Sequence, residues 1–335
     1  MRVAVIGAGS WGTAVAAIAS RNVTAVLWAR RPELARAIAH DHVNRDYLPD
    51  FELPDSLGAT ADMEEAVTGA DVVVMGVPSH GFRDILAEVA RHIGRAVPVI
   101  SLAKGVEQGS LKRMTEVVAD VLPDHPAGVL TGPNLAKEIL AGYPAASVVA
   151  LADSGMCADL QRVFSTEVFR VYRNPDVTGC EVAGALKNVM AIASGMADGM
   201  GFGDNTRAAL ITRGLAELTR LGVALGGEPL TFSGLAGMGD LVATCISRQS
   251  RNRYVGEELG KGRTIAEVTA EMNMVAEGVK TSRAVLDLAE RHGIEMPIAE
   301  QVVAVIYDGK SAADVIPSLM LREAKSELHG IDGSR

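Results

Sequence analysis

The segment E-V-A-G-A-L-K-N-V-M-A-I-A places one lysine, Lys187, among small and apolar residues. Its neighbours at helical spacing are Ala183, Gly184, Met190 and Ala191. A lysine on such a face either extends its amine to the surface or lies in a poorly solvated place. Because desolvation lowers the pKa of an ammonium group, the second arrangement makes an acid or base that works near neutral pH. Spacing alone leaves both alternatives open.

A second polar cluster, S-R-Q-S-R-N-R, occupies residues 247–253 and precedes a helical pattern that runs V-G-E-E-L. Ser250, Arg251 and Asn252 are expected at or near the start of this helix. There, backbone N–H groups, a hydroxyl, a guanidinium and an amide can converge on a phosphate. The alternative is an exposed basic helix cap. In a chain of net charge -9, this cluster of arginines favours the phosphate site.

A glycine-rich stretch, I-G-A-G-S-W-G-T, occupies residues 6–13, between the apolar run V-A-V and the helical pattern A-V-A-A-I-A. Gly7, Gly9 and Gly12 match the motif G-x-G-x-x-G in the strand–turn–helix context that makes this motif specific. The first glycine permits a tight turn, the second lets the backbone approach a pyrophosphate, and the third permits close helix packing. The same glycines interrupt the apolar run that a signal peptide needs. The sequence therefore predicts a dinucleotide-binding loop.

The end of the second predicted strand bears on the choice of dinucleotide. Loops that bind NAD carry an acidic residue about 20 positions further on, which accepts a hydrogen bond from the ribose. Here the strand ends W-A-R-R, so that Arg30 and Arg31 stand at that place. Two guanidinium groups suit a 2′-phosphate, which favours NADP(H), with NAD(H) as the alternative because arginine also stacks on adenine.

Short apolar runs rich in valine alternate with amphipathic segments in the first half of the chain. Such runs are typical of strands in a parallel sheet that is covered on both faces. The runs lie at 3–7, 24–29, 70–77, 98–103, 128–132 and 146–151. They predict an α/β Rossmann fold with a doubly wound, mainly parallel sheet.

From about residue 178 the pattern changes to long stretches with helical spacing. These stretches are 207–224, 251–260, 264–274, 277–292 and 297–307. The prediction is a dinucleotide-binding Rossmann domain over residues 1–180, followed by an all-α substrate-binding domain over residues 181–335.

Composition and charge exclude several classes of function. The net charge of -9 leaves no basic surplus for a nucleic acid. Cys157, Cys180 and Cys245 are odd in number and lack C-x-x-C spacing, which argues against disulfides and zinc and favours a reducing cytoplasm. His40 and His42 are the one close histidine pair, without a metal-binding pattern around them. No uninterrupted apolar run reaches the length of a membrane span. The oligomeric state is not determined by the sequence, and a homodimer is one alternative.

Several motifs together show a resemblance that runs through nearly the whole chain. They are G-A-G-S-W-G-T-A, Y-L-P, G-V-P-S, S-L-A-K-G-V-E, T-G-P-N-L-A-K-E-I, A-G-A-L-K-N-V-M-A-I-A-S-G, G-D-N-T-R-A-A-L-I-T-R-G-L-A-E, G-L-A-G-M-G-D-L-V-A-T-C, S-R-N-R and A-E-G-V-K-T. In these motifs the chain resembles the NAD(P)-dependent glycerol-3-phosphate dehydrogenases of the bacterial type. The resemblance implies reversible hydride transfer between NAD(P)H and dihydroxyacetone phosphate, which yields sn-glycerol 3-phosphate for phospholipid synthesis.

The same resemblance implies roles for individual residues, position by position. Lys187 matches the proton acceptor. Contacts to the cofactor are implied for Gly7, Gly9, Ser10, Trp11, Gly12, Arg30, Arg31, Tyr47, Lys104, Ala136, Arg251, Val275 and Glu277. Contacts to the substrate are implied for Lys104, Gly132, Asn134, Lys187, Asp240, Ser250, Arg251 and Asn252. Asp240 would orient Lys187 or a substrate hydroxyl, and Lys104 would lower the pKa of Lys187.

Two other functions compete with this interpretation. One is a dehydrogenase of the same architecture that acts on a hydroxy acid, against which G-D-N-T-R and S-R-N-R argue. The other is a dinucleotide-sensing protein without turnover, which requires no acid or base.

Overall fold

The computed structural model of the chain describes residues 1–272, 276–323 and 326–327. Its strands are β1 (Arg2–Ile6), β2 (Thr24–Trp28), β3 (Val43–Asn44), β4 (Leu48–Glu52), β5 (Leu57–Thr60), β6 (Val72–Met75), β7 (Val99–Ser101), β8 (Ala127–Thr131), β9 (Ala145–Ala150) and β10 (Phe169–Asn174). The α-helices before residue 178 are α1 (Ser10–Ala19), α2 (Pro32–Asp41), α3 (Met63–Val67), α4 (Phe82–Val89), α5 (Met114–Val121), α6 (Ala136–Leu140) and α7 (Ser154–Phe164).

The rest of the described chain is helical, as the sequence predicts. Its α-helices are α8 (Val177–Gly199), α9 (Asp204–Ala224), α10 (Pro229–Phe232), α11 (Asp240–Ile246), α12 (Arg251–Gly260), α13 (Ile265–Ala270), α14 (Glu277–Arg291), α15 (Pro297–Tyr307) and α16 (Val315–Met320). A π-helical turn, Leu235–Gly239, leads directly into α11.

Eight of the described strands form one sheet in the order β10-β9-β8-β7-β6-β1-β2-β5. All neighbouring pairs are parallel except β8 with β9. The predicted α/β Rossmann class, with an all-α region after it, is therefore confirmed. Because β1 lies between β2 and β6, the chain order reverses beside it, and such a switch point is where open α/β sheets bind ligands.

The six valine-rich runs coincide with β1, β2, β6, β7, β8 and β9. Strand β10 was not predicted because its sequence, F-R-V-Y-R-N, alternates buried and exposed residues at the edge of the sheet. Strand β5 lies at the other edge, and its sequence L-G-A-T has no apolar run.

The chain separates into two compact units. The first comprises Met1–Ala103 with Lys112–Val177, and the second comprises Lys104–Leu111 together with the chain from Thr178 onward. The division proposed from the sequence places Lys104–Leu111 in the first domain. This segment packs with the second unit because Val106 and Leu111 are buried in that unit's core.

Within the second unit, helices α8 and α12 pack with their backbones in contact. A Cβ atom added at Gly195 would overlap the Arg253 carbonyl oxygen, and one added at Gly256 would overlap the Ile192 carbonyl oxygen. Small residues of this kind let two helices approach closely. This approach brings Asn188 of α8 within hydrogen-bonding distance of Asn252 of α12.

One described segment, Pro229–Ile246, has the length and apolar composition of a membrane span. In the structure it is not one straight helix, since α10 ends at Phe232 and a π-helical turn intervenes before α11. Phe232, Leu241 and Cys245 are fully buried in the core of the second unit. The segment therefore has the features of a core element.

Candidate active site

The glycine loop follows β1 and leads into α1. Gly7 adopts a φ of +115°, a conformation that L side chains rarely adopt, and a Cβ atom there would lie 2.8 Å from the Gly76 carbonyl oxygen. A Cβ atom at Gly12 would overlap the Gly7 carbonyl oxygen. A Cβ atom at Gly9, by contrast, would meet no atom of the described residues within 4 Å apart from those of its two chain neighbours. Packing within the protein thus explains two of the glycines, while the space above Gly9 fits the approach of a ligand.

Helix α1 begins at Ser10, and among the described residues no side chain caps its N-terminus. Its first turn carries no acidic residue, so the positive end of the helix dipole favours an anion. Trp11 lies in this turn and packs edge-on against Phe169, with ring centroids 6.2 Å apart. The Trp11 Nε1 atom is buried and has no hydrogen-bond partner among the residues that the structure describes. An uncapped N-terminus and an unsatisfied donor fit the pyrophosphate and the polar groups of a dinucleotide.

Arg30 and Arg31 follow β2 and are both exposed, but they differ in their contacts. Arg31 forms an ion pair with Asp46 and lies 4.0 Å from a carboxylate oxygen of Glu33. Within the described part of the chain, Arg30 has no ion-pair partner. Tyr47 is half-buried, and its backbone N–H donates to Asn44.

The predicted residues of T-G-P-N-L-A follow strand β8. Gly132 is buried with a φ of +138°, and Ala136 is the first residue of α6. The Asn134 amide nitrogen donates to the Ser147 hydroxyl at 3.0 Å, and that hydroxyl donates to the Thr131 carbonyl at 2.8 Å. The Asn134 Oδ1 atom is buried and accepts no hydrogen bond from the described part of the chain. It is therefore available as an acceptor for a ligand.

In the second unit, Lys187 lies in the middle of α8 and is 5% exposed. Its Nζ atom donates to Asp240 Oδ1 and, at 2.6 Å, to Thr244 Oγ1. The second carboxylate oxygen of Asp240 accepts from Lys104 Nζ at 2.6 Å. The fully buried Asp240 carboxylate therefore bridges two lysines. We call Lys104, Lys187, Asp240 and Thr244 the lysine cluster.

The pKa of Lys187 is lowered from its ordinary value to about 7. The largest cause is burial, which removes the ammonium group from water, and the positive charge of Lys104 also lowers this pKa. The carboxylate of Asp240 acts in the opposite direction. Of the two arrangements that the spacing left open, the structure contains the poorly solvated one, with an amine that can gain or lose a proton near neutral pH.

The position of Asp240 is set by the preceding backbone. The glycines of G-L-A-G-M-G allow the π-helical turn before it, and a Cβ atom at Gly237 would overlap the Phe232 carbonyl oxygen. Turns of this type are rare and occur frequently at functional sites. Thr244 lies one helical turn after Asp240, and its hydroxyl donates back to the Asp240 carbonyl oxygen at 2.6 Å.

A chain of amide hydrogen bonds connects the lysine cluster to α12 and α14. Asn188 donates to the Lys104 carbonyl oxygen at 3.0 Å and accepts from Asn252 Nδ2 at 2.9 Å. Asn252 Oδ1 in turn accepts from the Gly278 N–H at 2.9 Å. Asn188 thus holds the backbone of Lys104.

The remaining predicted residues lie at helix starts in the same unit. Ser250 is the N-cap of α12 and accepts from the Arg253 N–H at 3.2 Å, and the exposed Arg251 is the first residue of that helix. Glu277 is half-buried in the first turn of α14. Val275 lies outside the described residues.

Two residues of these sites were not identified from the sequence. Thr244 contacts Lys187, and its spacing of four residues from Asp240 on one helix is a usable signal. Asn44 is fully buried beside the glycine loop. The sequence offers no local signal that Asn44 contacts the loop, because its partners Ala8 and Thr13 lie more than 30 positions away.

A glycine loop on a mainly parallel sheet, together with a buried lysine of lowered pKa in a helical unit, defines a dehydrogenase that uses a nicotinamide dinucleotide. Two family models match the chain. The model for the N-terminus of NAD-dependent glycerol-3-phosphate dehydrogenase matches residues 2–157, and the model for its C-terminus matches residues 176–317. The chain belongs to the NAD-dependent glycerol-3-phosphate dehydrogenase family, and the resemblance inferred from the motifs is confirmed.

Individual relatives agree with this assignment. The chain is 59% identical to a glycerol-3-phosphate dehydrogenase [NAD(P)+] of Sphingopyxis alaskensis, over 98% of this chain and 99% of the relative. It is 52% identical to the enzyme of that name from Mycobacterium avium, over 98% and 97% of the two chains. A crystal structure of glycerol-3-phosphate dehydrogenase from Coxiella burnetii is 37% identical, with a TM-score of 0.91 over 96% of this chain and 99% of that one.

Proposed function

We propose that this chain interconverts sn-glycerol 3-phosphate and dihydroxyacetone phosphate with a nicotinamide dinucleotide, and so supplies the backbone of phospholipids. The relatives named above carry this activity in their names. The observation in the structure that supports it most directly is the lysine cluster, with its buried Lys187 hydrogen-bonded to Asp240. An acid or base of pKa about 7 is suited to move the proton that accompanies hydride transfer to or from a secondary alcohol.

Lys187 is the acid–base residue in this proposal. During oxidation, its neutral amine accepts the proton of the C2 hydroxyl, and during reduction its ammonium form polarises the carbonyl and returns the proton. The bound dinucleotide accepts or supplies the hydride. Asp240 and Thr244 hold the Lys187 amine in one position. Lys104 favours the neutral amine and stabilises negative charge that develops on the substrate oxygen.

The start of α12 is the proposed phosphate site. This helix of 10 residues presents backbone N–H groups at its N-terminus, beside the Ser250 hydroxyl and the Arg251 guanidinium. These groups suit a phosphate dianion, because both the helix dipole and the guanidinium attract negative charge. Binding energy from this remote group positions the reacting carbon. Both amide atoms of the Asn252 side chain have partners within the protein, which supports a contribution of this residue through its backbone N–H.

The glycine loop, the first turn of α1 and the segment after β2 form the proposed dinucleotide site, with NADP(H) favoured over NAD(H). An exposed Arg30 without an ion-pair partner in the described chain supports this preference. Arg31 forms an ion pair with Asp46, so a 2′-phosphate has to compete with the Asp46 carboxylate for the Arg31 guanidinium. We therefore assign most of the preference to Arg30.

The substrate is tested by initial rates of NADPH oxidation with dihydroxyacetone phosphate and with a panel of keto acids. The expected result is the highest kcat/KM with dihydroxyacetone phosphate, and loss of this advantage in Arg251→Ala. Faster reduction of a keto acid would assign the chain to the hydroxy-acid dehydrogenases instead. Binding of NADPH without turnover of any of these substrates would favour a sensor.

The dinucleotide preference is tested by Kd values for NADPH and NADH in matched variants. Arg30→Ala should weaken NADPH binding about tenfold or more with little change for NADH, because a charged hydrogen bond to the 2′-phosphate contributes about 1.5–3 kcal/mol. Arg31→Ala should have a smaller effect. Asp46→Asn, which frees Arg31 from its ion pair, should strengthen NADPH binding selectively. Equal changes for both dinucleotides in Arg30→Ala would contradict the assignment.

We also propose a cytoplasmic location. All three cysteines lie within the described residues, where they are buried and form no disulfide. Buried thiols of this kind are typical of proteins from a reducing compartment.

A further inference from the structure

A short hairpin, formed by β3 and β4, follows α2 in the first unit. It places Asn44 at the end of β3, opposite Leu48, with the turn 45–47 between them. Asn44 and Leu48 are both completely buried. A completely buried amide is unusual unless its polar atoms have partners within the protein.

Asn44 has three such partners. Its Nδ2 atom donates to the Ala8 carbonyl oxygen at 2.9 Å and to the Thr13 hydroxyl at 2.8 Å, while its Oδ1 atom accepts from the Tyr47 N–H at 3.2 Å. A carbonyl oxygen only accepts and a backbone N–H only donates, so these partners fix the orientation of the amide. The side chain is therefore held rigidly between the hairpin and the glycine loop.

These contacts are made to the glycine loop and to the first turns of α1. Ala8 lies between Gly7 and Gly9, and glycine is the residue with the greatest backbone freedom. Thr13 lies in the first turns of α1 and is itself completely buried. One side chain thus connects the loop backbone to the start of the helix whose N–H groups would face a pyrophosphate.

We propose that Asn44 is a positioning residue for dinucleotide binding. It holds the Ala8 carbonyl and the start of α1 in the one arrangement that presents the loop amides to a pyrophosphate. The inference rests on the proposed function, since it requires that a dinucleotide binds at this loop. Because NADH and NADPH share the pyrophosphate, the effect of Asn44 is the same for both, which separates it from the effect of Arg30.

The test compares Asn44→Ala with a matched control in the same unit. Asn22 also donates its amide nitrogen to backbone carbonyls, those of Val163 and Ser165 at 2.9 and 2.8 Å, but it does not touch the glycine loop. The Kd values for NADPH and NADH are measured by fluorescence titration below the melting transition, and Tm is measured without ligand. Asn44→Ala should raise both Kd values about tenfold at an unchanged ratio, as expected when buried hydrogen bonds are lost. Asn22→Ala should lower Tm and leave both Kd values unchanged.

A second pair of variants covers the case in which Asn44→Ala does not fold. Thr13→Val removes the hydroxyl that accepts from Asn44 and should raise both Kd values about threefold, while Thr13→Ser keeps the hydroxyl and should retain wild-type affinity. A lower Tm with unchanged Kd values in Asn44→Ala, or in Thr13→Val, would show that Asn44 is only structural and overturn the inference. Failure of the wild-type protein to bind either dinucleotide would overturn the proposed function instead.

Discussion

The glycine loop and the lysine cluster suit their proposed roles in binding and proton transfer by different physical means. The loop depends on its backbone: at Gly7 and Gly12 any side chain would collide with the protein, and at Gly9 an added Cβ atom would have no described neighbour within 4 Å beyond the adjacent residues. The cluster works through charge that is kept from water, with the Asp240 carboxylate between two lysine amines. The proposed pyrophosphate site depends on backbone geometry, whereas the proposed proton transfer depends on a group whose pKa is moved by its surroundings.

The largest effect is expected for the lysine cluster. Lys187→Met keeps an unbranched side chain that is one atom shorter and removes the amine, so turnover should fall by about a hundredfold or more, the contribution of a general acid or base. The Kd for NADPH should remain close to the wild-type value, because the glycine loop is unchanged. Steady-state rates and fluorescence titration measure these two quantities.

In Lys187→Met, the Asp240 carboxylate still forms its ion pair with Lys104, which favours a folded protein. A thermal melt close to that of the wild type is the control. Turnover at the wild-type rate would remove Lys187 from the acid–base role.

A smaller effect, a rise of about tenfold in the Kd for NADPH, is expected for Gly9→Ala. Gly12→Ala is the comparison, because Gly12 is packed against the protein and Gly9 is not. Gly9→Ala adds a methyl group that contacts no described residue other than its chain neighbours, so Tm should hardly change while the Kd for NADPH rises. Gly12→Ala forces a methyl group onto the Gly7 carbonyl oxygen, so this variant should lose stability. If Gly9→Ala bound NADPH as tightly as the wild type, the dinucleotide would not approach the backbone at Gly9.

At Glu217, a buried carboxyl group outside the cluster, no effect on activity is expected, and the predicted effect is on stability. Its carboxylate accepts from the N–H groups of Ile298 and Ala299 at the start of α15, and burial raises its pKa from 4.5 to about 7. Since the folded state holds this proton more tightly than the unfolded state, the contribution to stability is complete below about pH 4.5 and is lost as the pH rises through 7. The difference corresponds to about 3 kcal/mol.

Glu217→Gln keeps an acceptor for the helix N–H groups and has no charge to titrate. Urea unfolding at several pH values between 5 and 8 should therefore show a flatter profile than the wild type, while kcat stays unchanged. An identical pH dependence in both proteins would mean that Glu217 does not titrate in this range.

The contrast between the two regions also explains what could be predicted from the sequence. The loop was identified because its glycines, the strand before it and the helix after it are contiguous. The six valine-rich strands were identified for the same reason, whereas β10 was missed because it is an edge strand with alternating polar residues.

The lysine cluster could be predicted only in part, since its members lie far apart in the sequence. The burial of Lys187 depends on Asp240 and Thr244, which are 53 and 57 positions away. Lys104 belongs to a segment that packs with the second unit, and no local pattern indicates this. The resemblance to a known family identified Lys104, Lys187 and Asp240, whereas Thr244 and the hydrogen bonds of the cluster required the structure.

The central claim, that a buried lysine of pKa about 7 moves the proton, is tested most directly by kcat/KM as a function of pH in both directions. For oxidation of glycerol 3-phosphate, which needs the neutral amine, kcat/KM should rise with pH through about 7, and for reduction of dihydroxyacetone phosphate it should fall through the same midpoint. Lys104→Met removes a positive charge that lowers the pKa of Lys187, so both midpoints should move to higher pH. Profiles that are flat around neutral pH, or midpoints that stay in place in Lys104→Met, would contradict the account.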